Sequence, residues 1–67
     1  MIDIHVNGEP QRLAPGTTLQ ALAAVLELGG QAIAMAVNRA VVPRQQWPRH
    51  VLLAHDKVEI VRAIGGG

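Results

Sequence analysis

Residues 1–28 read MIDIHVNGEPQRLAPGTTLQALAAVLEL, and the spacing of their apolar residues changes once, around Pro15-Gly16. Before that point Ile2, Ile4 and Val6 alternate with Asp3, His5 and Asn7, the period of a strand with one buried face. Asn7-Gly8 follows. Both central residues of a type I′ turn need positive φ, so this pair predicts a hairpin. The second strand runs through Gln11 to Leu13. Pro10 near its start places it at a sheet edge, where a missing N–H leaves nothing unpaired. After Pro15-Gly16, Leu19, Leu22, Ala23 and Leu26 fall at i, i+3, i+4 and i+7, one face of a helix. Thr17 and Gln20 have the spacing of a capping box, and Gly29 or Gly30 supplies a left-handed stop. The pattern predicts a helix of about three turns from Thr18 to Leu28.

Residues 31–38, QAIAMAVN, form an apolar run of strand length, which Asn38-Arg39 turns back into Ala40-Val41-Val42. Pro43 ends that piece. Residues 43–50, PRQQWPRH, read as an irregular connection or a short helical turn pinned by Trp47. His55-Asp56 reads as a turn before residues 57–64, KVEIVRAI, where Val58 and Ile60 alternate with Lys57 and Glu59. The order is strand, strand, helix, strand, short strand, strand. That is an α+β chain, with one helix laid across one face of a sheet. The uncovered face stays wet, which accounts for the polar positions Asp3, His5, Lys57 and Glu59.

The chain has 67 residues, enough for one domain. At this size folding buries about 60% of the surface of the unfolded chain, so the core is modest. Cysteine is absent, which removes disulfides, thiolate metal sites and a cysteine nucleophile. Trp47 is the sole aromatic residue, so the core must come from Ala, Val, Leu and Ile. The formal net charge is +1, with acids and bases interspersed. Electrostatics alone would not hold such a chain on a nucleic acid or an anionic membrane. No charged-then-apolar leader opens it, and no apolar run nears the roughly 18 residues of a membrane span. The expectation is a soluble cytoplasmic domain, with neither nucleic acid nor membrane as partner.

Side-chain chemistry is sparse. His5, His50 and His55 lie at no metal-ligand spacing, so no metal site is expected, and isolated surface histidines need no special account. Serine is absent, which excludes a serine triad. The five acids are scattered, with no pair to divide acid and base roles. Gly29-Gly30 ends a helix, whereas phosphates are held at helix starts. Arg39, Arg44 and Arg49 are spaced along one stretch, either as a patch for an acidic partner or as an ordinary solvated rim. Trp47 among them could anchor an interface, but the sole aromatic of a small core reads first as structural.

The remaining feature is Gly65-Gly66-Gly67. These residues lack side chains, so their reactive chemistry is the terminal carboxyl, ionised at neutral pH because its pKa is about 3.3–3.7. A carboxylate is a poor electrophile until another enzyme activates it, for example as an acyl-adenylate made from ATP. Glycine suits such handling, since a narrow channel can close around backbone without Cβ atoms. Three residues reach roughly 10 Å when extended. A frayed end is the competing reading, and composition leaves the two open.

Beyond these patterns, the chain resembles the sulfur carriers of thiamine biosynthesis, the ThiS family, along essentially its whole length. The segments that carry the resemblance are VNGEP (6–10), TTLQALAAVLEL (17–28), AMAVNRAVVPRQQW (34–47), HDKVEIVRAI (55–64) and the terminal GG. The middle segment is the most specific, with Val37-Asn38, Val41-Val42-Pro43-Arg44 and Trp47. The resemblance implies a β-grasp (ubiquitin-like) fold, a mixed four- to five-stranded sheet with one main helix across one face. The last strand would run parallel to the first, in the middle of the sheet. Residues 1–64 would form the domain and 65–67 a flexible tail.

The resemblance also implies a carrier and not an enzyme, with no cofactor of its own. An adenylating, E1-like partner would activate the Gly67 carboxyl with ATP. A persulfide donor such as a cysteine desulfurase would convert it to a thiocarboxylate, and thiazole synthase would take the sulfur into the thiazole ring. Gly66 is the other member of the diglycine, and Gly65 stands where the family pattern has a small residue. Partners of such carriers grip the open sheet face beside the tail, which makes Lys57 and Glu59 candidates. Three other readings stay open. One is a molybdopterin-type carrier or ubiquitin-like modifier, although VRAIGGG lacks the proline pair of the former. Another is a β-grasp interaction module. The third is a small nucleic-acid binder using the arginines, whose affinity would fall steeply with salt.

Overall fold

The computed structural model describes residues 1–27 and 32–62. β1 (Ile2–Val6) and β2 (Glu9–Leu13) form the expected antiparallel hairpin, in register from Ile2 opposite Leu13 to Val6 opposite Glu9. Asn7 and Gly8 both have positive φ, 51° and 84°, as the I′ geometry requires. Pro10 lies in β2, which pairs with β1 alone and is an edge strand.

The helix, α1, spans Leu19–Val25, shorter at both ends than expected. Its N-cap is Thr18, whose hydroxyl accepts from the Ala21 N–H at 3.1 Å. The Thr17–Gln20 capping box does not form. Thr17 instead donates its hydroxyl to the Ala14 carbonyl at 2.6 Å, closing the turn that leads in. The reason is packing: with the cap at Thr18, the next residue is Leu19, and Leu19, Leu22 and Ala23 all turn into the core. At the other end Glu27 adopts the left-handed φ of 60°, and its N–H bonds the Ala24 carbonyl. The stop therefore comes earlier than the glycines suggested. Val25 already faces solvent while Leu26 still packs on the core, so another turn of helix would leave the apolar surface. Gly29 and Gly30 lie outside the described residues.

β3 (Ile33–Val37) and β4 (Ala40–Val42) form a second antiparallel hairpin. Its turn, Asn38-Arg39, also has both φ positive, at 51° and 72°. The stretch after Pro43 is a 3-10 helix, Arg44–Arg49. Trp47 in it is only 2% exposed and donates its indole N–H to the Val42 carbonyl at 2.9 Å. Trp47 is thus a structural residue, with its polar handle satisfied inside.

β5 (Lys57–Arg62) closes the sheet. Among the described residues the strand order is β2-β1-β5-β3-β4, with β5 parallel to β1 and antiparallel to β3. This is the mixed sheet with one helix, and the central last strand, that the resemblance implied. Ile4, Leu19, Leu22, Met35, Leu52 and Val58 are buried between sheet and helix around Trp47. The turn at His55, with φ of 72°, precedes β5 as expected. Asp56 beside it is buried, which the sequence did not signal. Its carboxylate accepts from the Asn38 amide at 3.1 Å and from the Leu53 N–H at 2.8 Å. Asn38 also takes the Lys57 N–H on its Oδ1 at 3.0 Å, so the start of β5 is fastened to the β3–β4 turn.

Candidate functional site

α1 covers one face of the sheet, and alternation along each strand decides what the other face carries. On β1 the outward residues are Asp3 and His5, and on β5 they are Lys57, Glu59 and Val61. On β3 they are Ala34 and Ala36, and on β4 Val41. The register sets these in rows. Glu59 sits opposite Ala36 and Ala36 opposite Val41, while Val61 sits opposite Ala34.

The outer face is therefore divided. Its β2–β1 half is polar: Arg12 on β2 meets Asp3 at 3.1 Å, both side chains exposed. An ion pair so open to water adds little to stability. The β3–β4 half is apolar. Val41 and Val61 are 73% and 63% exposed, with the small Ala34 and Ala36 beside them. These four side chains, with Arg39 and Glu59, line a shallow depression. A second depression, toward β1, is lined by His5, Gly8, Lys57 and Glu59.

Both side chains predicted from sequence, Lys57 and Glu59, lie on this face, at the seam between its halves. The sequence reading missed the apolar half. Two signals could have found it. Residues 32–37, AIAMAV, are apolar at every position, although one helix can bury only one side of a strand. Val61 also breaks the polar series begun by Lys57 and Glu59.

The other predicted positions, Gly65, Gly66 and Gly67, lie outside the described residues, as does the expected domain boundary at Ile64. β5 is described as far as Arg62, whose register partner is Ile33 at the start of β3. The apolar half thus flanks the last described residues of β5, through Val61.

The three arginines do not converge on one depression. Arg39 borders the outer face, Arg49 lines a separate hollow with Gln46 and His50, and the Arg44 guanidinium stacks 4.6 Å from the centroid of Trp47. Among the described residues no three of His, Asp and Glu are grouped to hold a metal ion. Nor is any described helix long and apolar enough to cross a membrane.

Comparison with known proteins places this geometry. The chain is 42% identical over 64 residues to a thiazole synthase of Magnetococcus marinus, matching 96% of this chain but 20% of that protein. It thus spans about a fifth of that relative. It is 30% identical over 66 residues to the sulfur carrier protein ThiS of Escherichia coli, covering 98% of this chain and all of the other. In structure it matches the crystal structure of a thiamine biosynthesis protein (ThiS) from Geobacter metallireducens, with a TM-score of 0.85 over 98% of this chain. At 23% identity that likeness speaks for the fold alone. The ThiS family model matches residues 4–67. On the family match and the end-to-end likeness to the Escherichia coli carrier, the chain belongs to the ThiS family.

Proposed function

We propose that this chain is a sulfur carrier of thiamine biosynthesis that works through the carboxyl of Gly67. The observation that carries the reading is the end-to-end match to a protein named as a sulfur carrier, with neither chain left over by more than a residue or two. The thiazole synthases that resemble it add support for the acceptor. A segment like this one is part of the same polypeptide as the synthase, which is one way to hold donor and acceptor together.

In this reading the chain supplies no catalytic side chain. An adenylating enzyme joins the Gly67 carboxylate to AMP and releases pyrophosphate, so ATP is that partner's substrate and not a cofactor of the carrier. A persulfide, of the kind a cysteine desulfurase makes, displaces AMP to give an acyl disulfide. A thiol then cleaves it, leaving as a disulfide and freeing the thiocarboxylate. Thiazole synthase takes up that sulfur. Five residues follow Arg62, and that length of chain spans roughly 17 Å at full extension, enough to enter a partner's active site while the sheet stays outside. The divided outer face, with Lys57 and Glu59 at its seam and Val61 beside the end of β5, is the surface that docks the activating enzyme. Gly65 and Gly66 then thread its channel.

The test is intact mass. The chain is incubated with ATP, the adenylating enzyme of its own cell, a cysteine desulfurase and cysteine. The expected product is heavier by the difference between sulfur and oxygen, and deletion of Gly67 abolishes it. An unchanged mass for the full chain overturns the carrier reading. Transfer of the chain to lysines of other proteins would instead identify a modifier.

A further inference from the structure

β5 supplies both the docking residues Lys57, Glu59 and Val61 and the strand end from which the tail departs. How firmly that end is held therefore matters to any partner that grips one and reads the other. On one side β5 is paired with β3 as far as Arg62. On the other side β1 pairs with β5 only at Lys57 and Val58, because the chain turns away at Asn7-Gly8.

The parallel ladder nevertheless runs one step further. His5 N–H bonds the Asp56 carbonyl at 3.0 Å, and Asn7 N–H bonds the Val58 carbonyl at 2.9 Å. In a continuing parallel strand the next two links would be the Ile60 N–H to the Asn7 carbonyl and a residue 9 N–H to the Ile60 carbonyl. The hairpin sends residue 9 back along Val6, so neither main-chain link is on offer. The Asn7 side chain takes both places. Its Oδ1 accepts from the Ile60 N–H at 2.9 Å, and its Nδ2 donates to the Ile60 carbonyl at 3.4 Å. A carboxamide is a peptide group without the chain, so it continues the ladder where the backbone cannot. The positive φ of 51° at Asn7, required by the turn, accompanies this reach across to β5.

We propose that Asn7 is a positioning residue for the C-terminal tail. By clamping Ile60 it holds the last described residues of β5 in line with the docking residues, and so governs how often a docked carrier starts its tail toward the adenylating enzyme. The proposal rests on the carrier reading above. Without the clamp the last residues of β5 are held from the β3 side alone. The sheet face would still dock, but the carboxyl would be misplaced in part of the complexes.

The test uses Asn7→Gly, Asn7→Asp and, as a control, Thr18→Ala. Glycine accepts the positive φ of position 7, so the hairpin is kept and only the carboxamide is lost. Aspartate keeps the acceptor for the Ile60 N–H but sets its second oxygen against the Ile60 carbonyl, in place of the amide donor. Thr18→Ala removes the helix cap on the opposite side of the sheet. For Asn7→Gly the expected results are Ile60 amide exchange faster by about fivefold, the share of one hydrogen bond, and a kcat of adenylation lower by about fivefold. The KM for the carrier stays within about twofold, because the docking face is intact. Asn7→Asp, which keeps one of the two links, recovers part of kcat, and Thr18→Ala leaves it unchanged. The proposal is overturned if Asn7→Gly keeps the wild-type kcat, if it lowers kcat no more than Thr18→Ala does, or if Ile60 exchange is unaffected. A wild-type chain that the enzyme never adenylates sinks the carrier reading and this proposal together, an outcome distinct from a failure confined to the Asn7 variants.

Discussion

At the scale of single residues, the interior of this small domain depends on polar groups that find each other across the chain. Asp56 is 9% exposed, and its two carboxylate oxygens are engaged by Asn38 and by the Leu53 N–H. Removing the acceptor loses both of these part-buried hydrogen bonds, each worth about 0.5–1.5 kcal/mol net. Asp56→Ala should therefore lose about 2 kcal/mol in urea unfolding, while Asp56→Asn, which retains one acceptor oxygen, should lose less. For a chain of 67 residues, a loss of that size lowers Tm by about 8–16 °C. A loss for Asp56→Ala below about 0.5 kcal/mol, the range of ordinary surface substitutions, would mean that the Asn38–Asp56 link is incidental. Nothing in the sequence announces this link. His55-Asp56 reads as a surface turn, and the partner lies 18 residues earlier in another turn. The contact exists only because the sheet brings the two turns together at the start of β5.

At the scale of elements, the local signals were legible because their physics is local. Asn7-Gly8 and Asn38-Arg39 both make turns of positive φ, and alternation puts Ile4, Val6 and Val58 inside as read. The helix was legible by its apolar stripe and less so by its ends. The spacing to Gln20 pointed to Thr17 as the cap, whereas the structure caps at Thr18, where Leu19 can be buried, a tertiary fact. This makes a prediction with direction. Thr18→Ala should cost about 1 kcal/mol, the usual worth of an N-cap, seen as a lower urea midpoint at unchanged slope. Gln20→Ala should cost nothing measurable, since Gln20 is exposed and makes no capping box. A larger loss at Gln20 than at Thr18 would restore the capping box that the structure replaces.

At the scale of the whole molecule, the outer face was half legible. Lys57 and Glu59 stand out in sequence because charge on a strand must face water. Ala34, Ala36, Val41 and Val61 do not, because an apolar residue is read as core until the sheet shows which side the helix covers. Valines 63–73% exposed beside alanines on a strand surface add little to the core, and a partner that covered them would desolvate them. On the carrier reading proposed above, their role is separable from that of Asn7 by kinetics, since docking would set KM and presentation of the carboxyl kcat. Threonine has the shape of valine and suits a strand equally well, so the double variant Val41→Thr/Val61→Thr should keep its Tm. Each hydroxyl would then be buried in the complex without a designed acceptor, at about 1–3 kcal/mol. The KM of the adenylating enzyme for the carrier should rise by at least about tenfold, with kcat at saturation unchanged. Asp3→Asn, on the polar half where its carboxylate meets Arg12, should change neither. If Asp3→Asn raises KM and the valine pair does not, the enzyme grips the β2–β1 half, and the seam residues Lys57 and Glu59 belong to that half of the face.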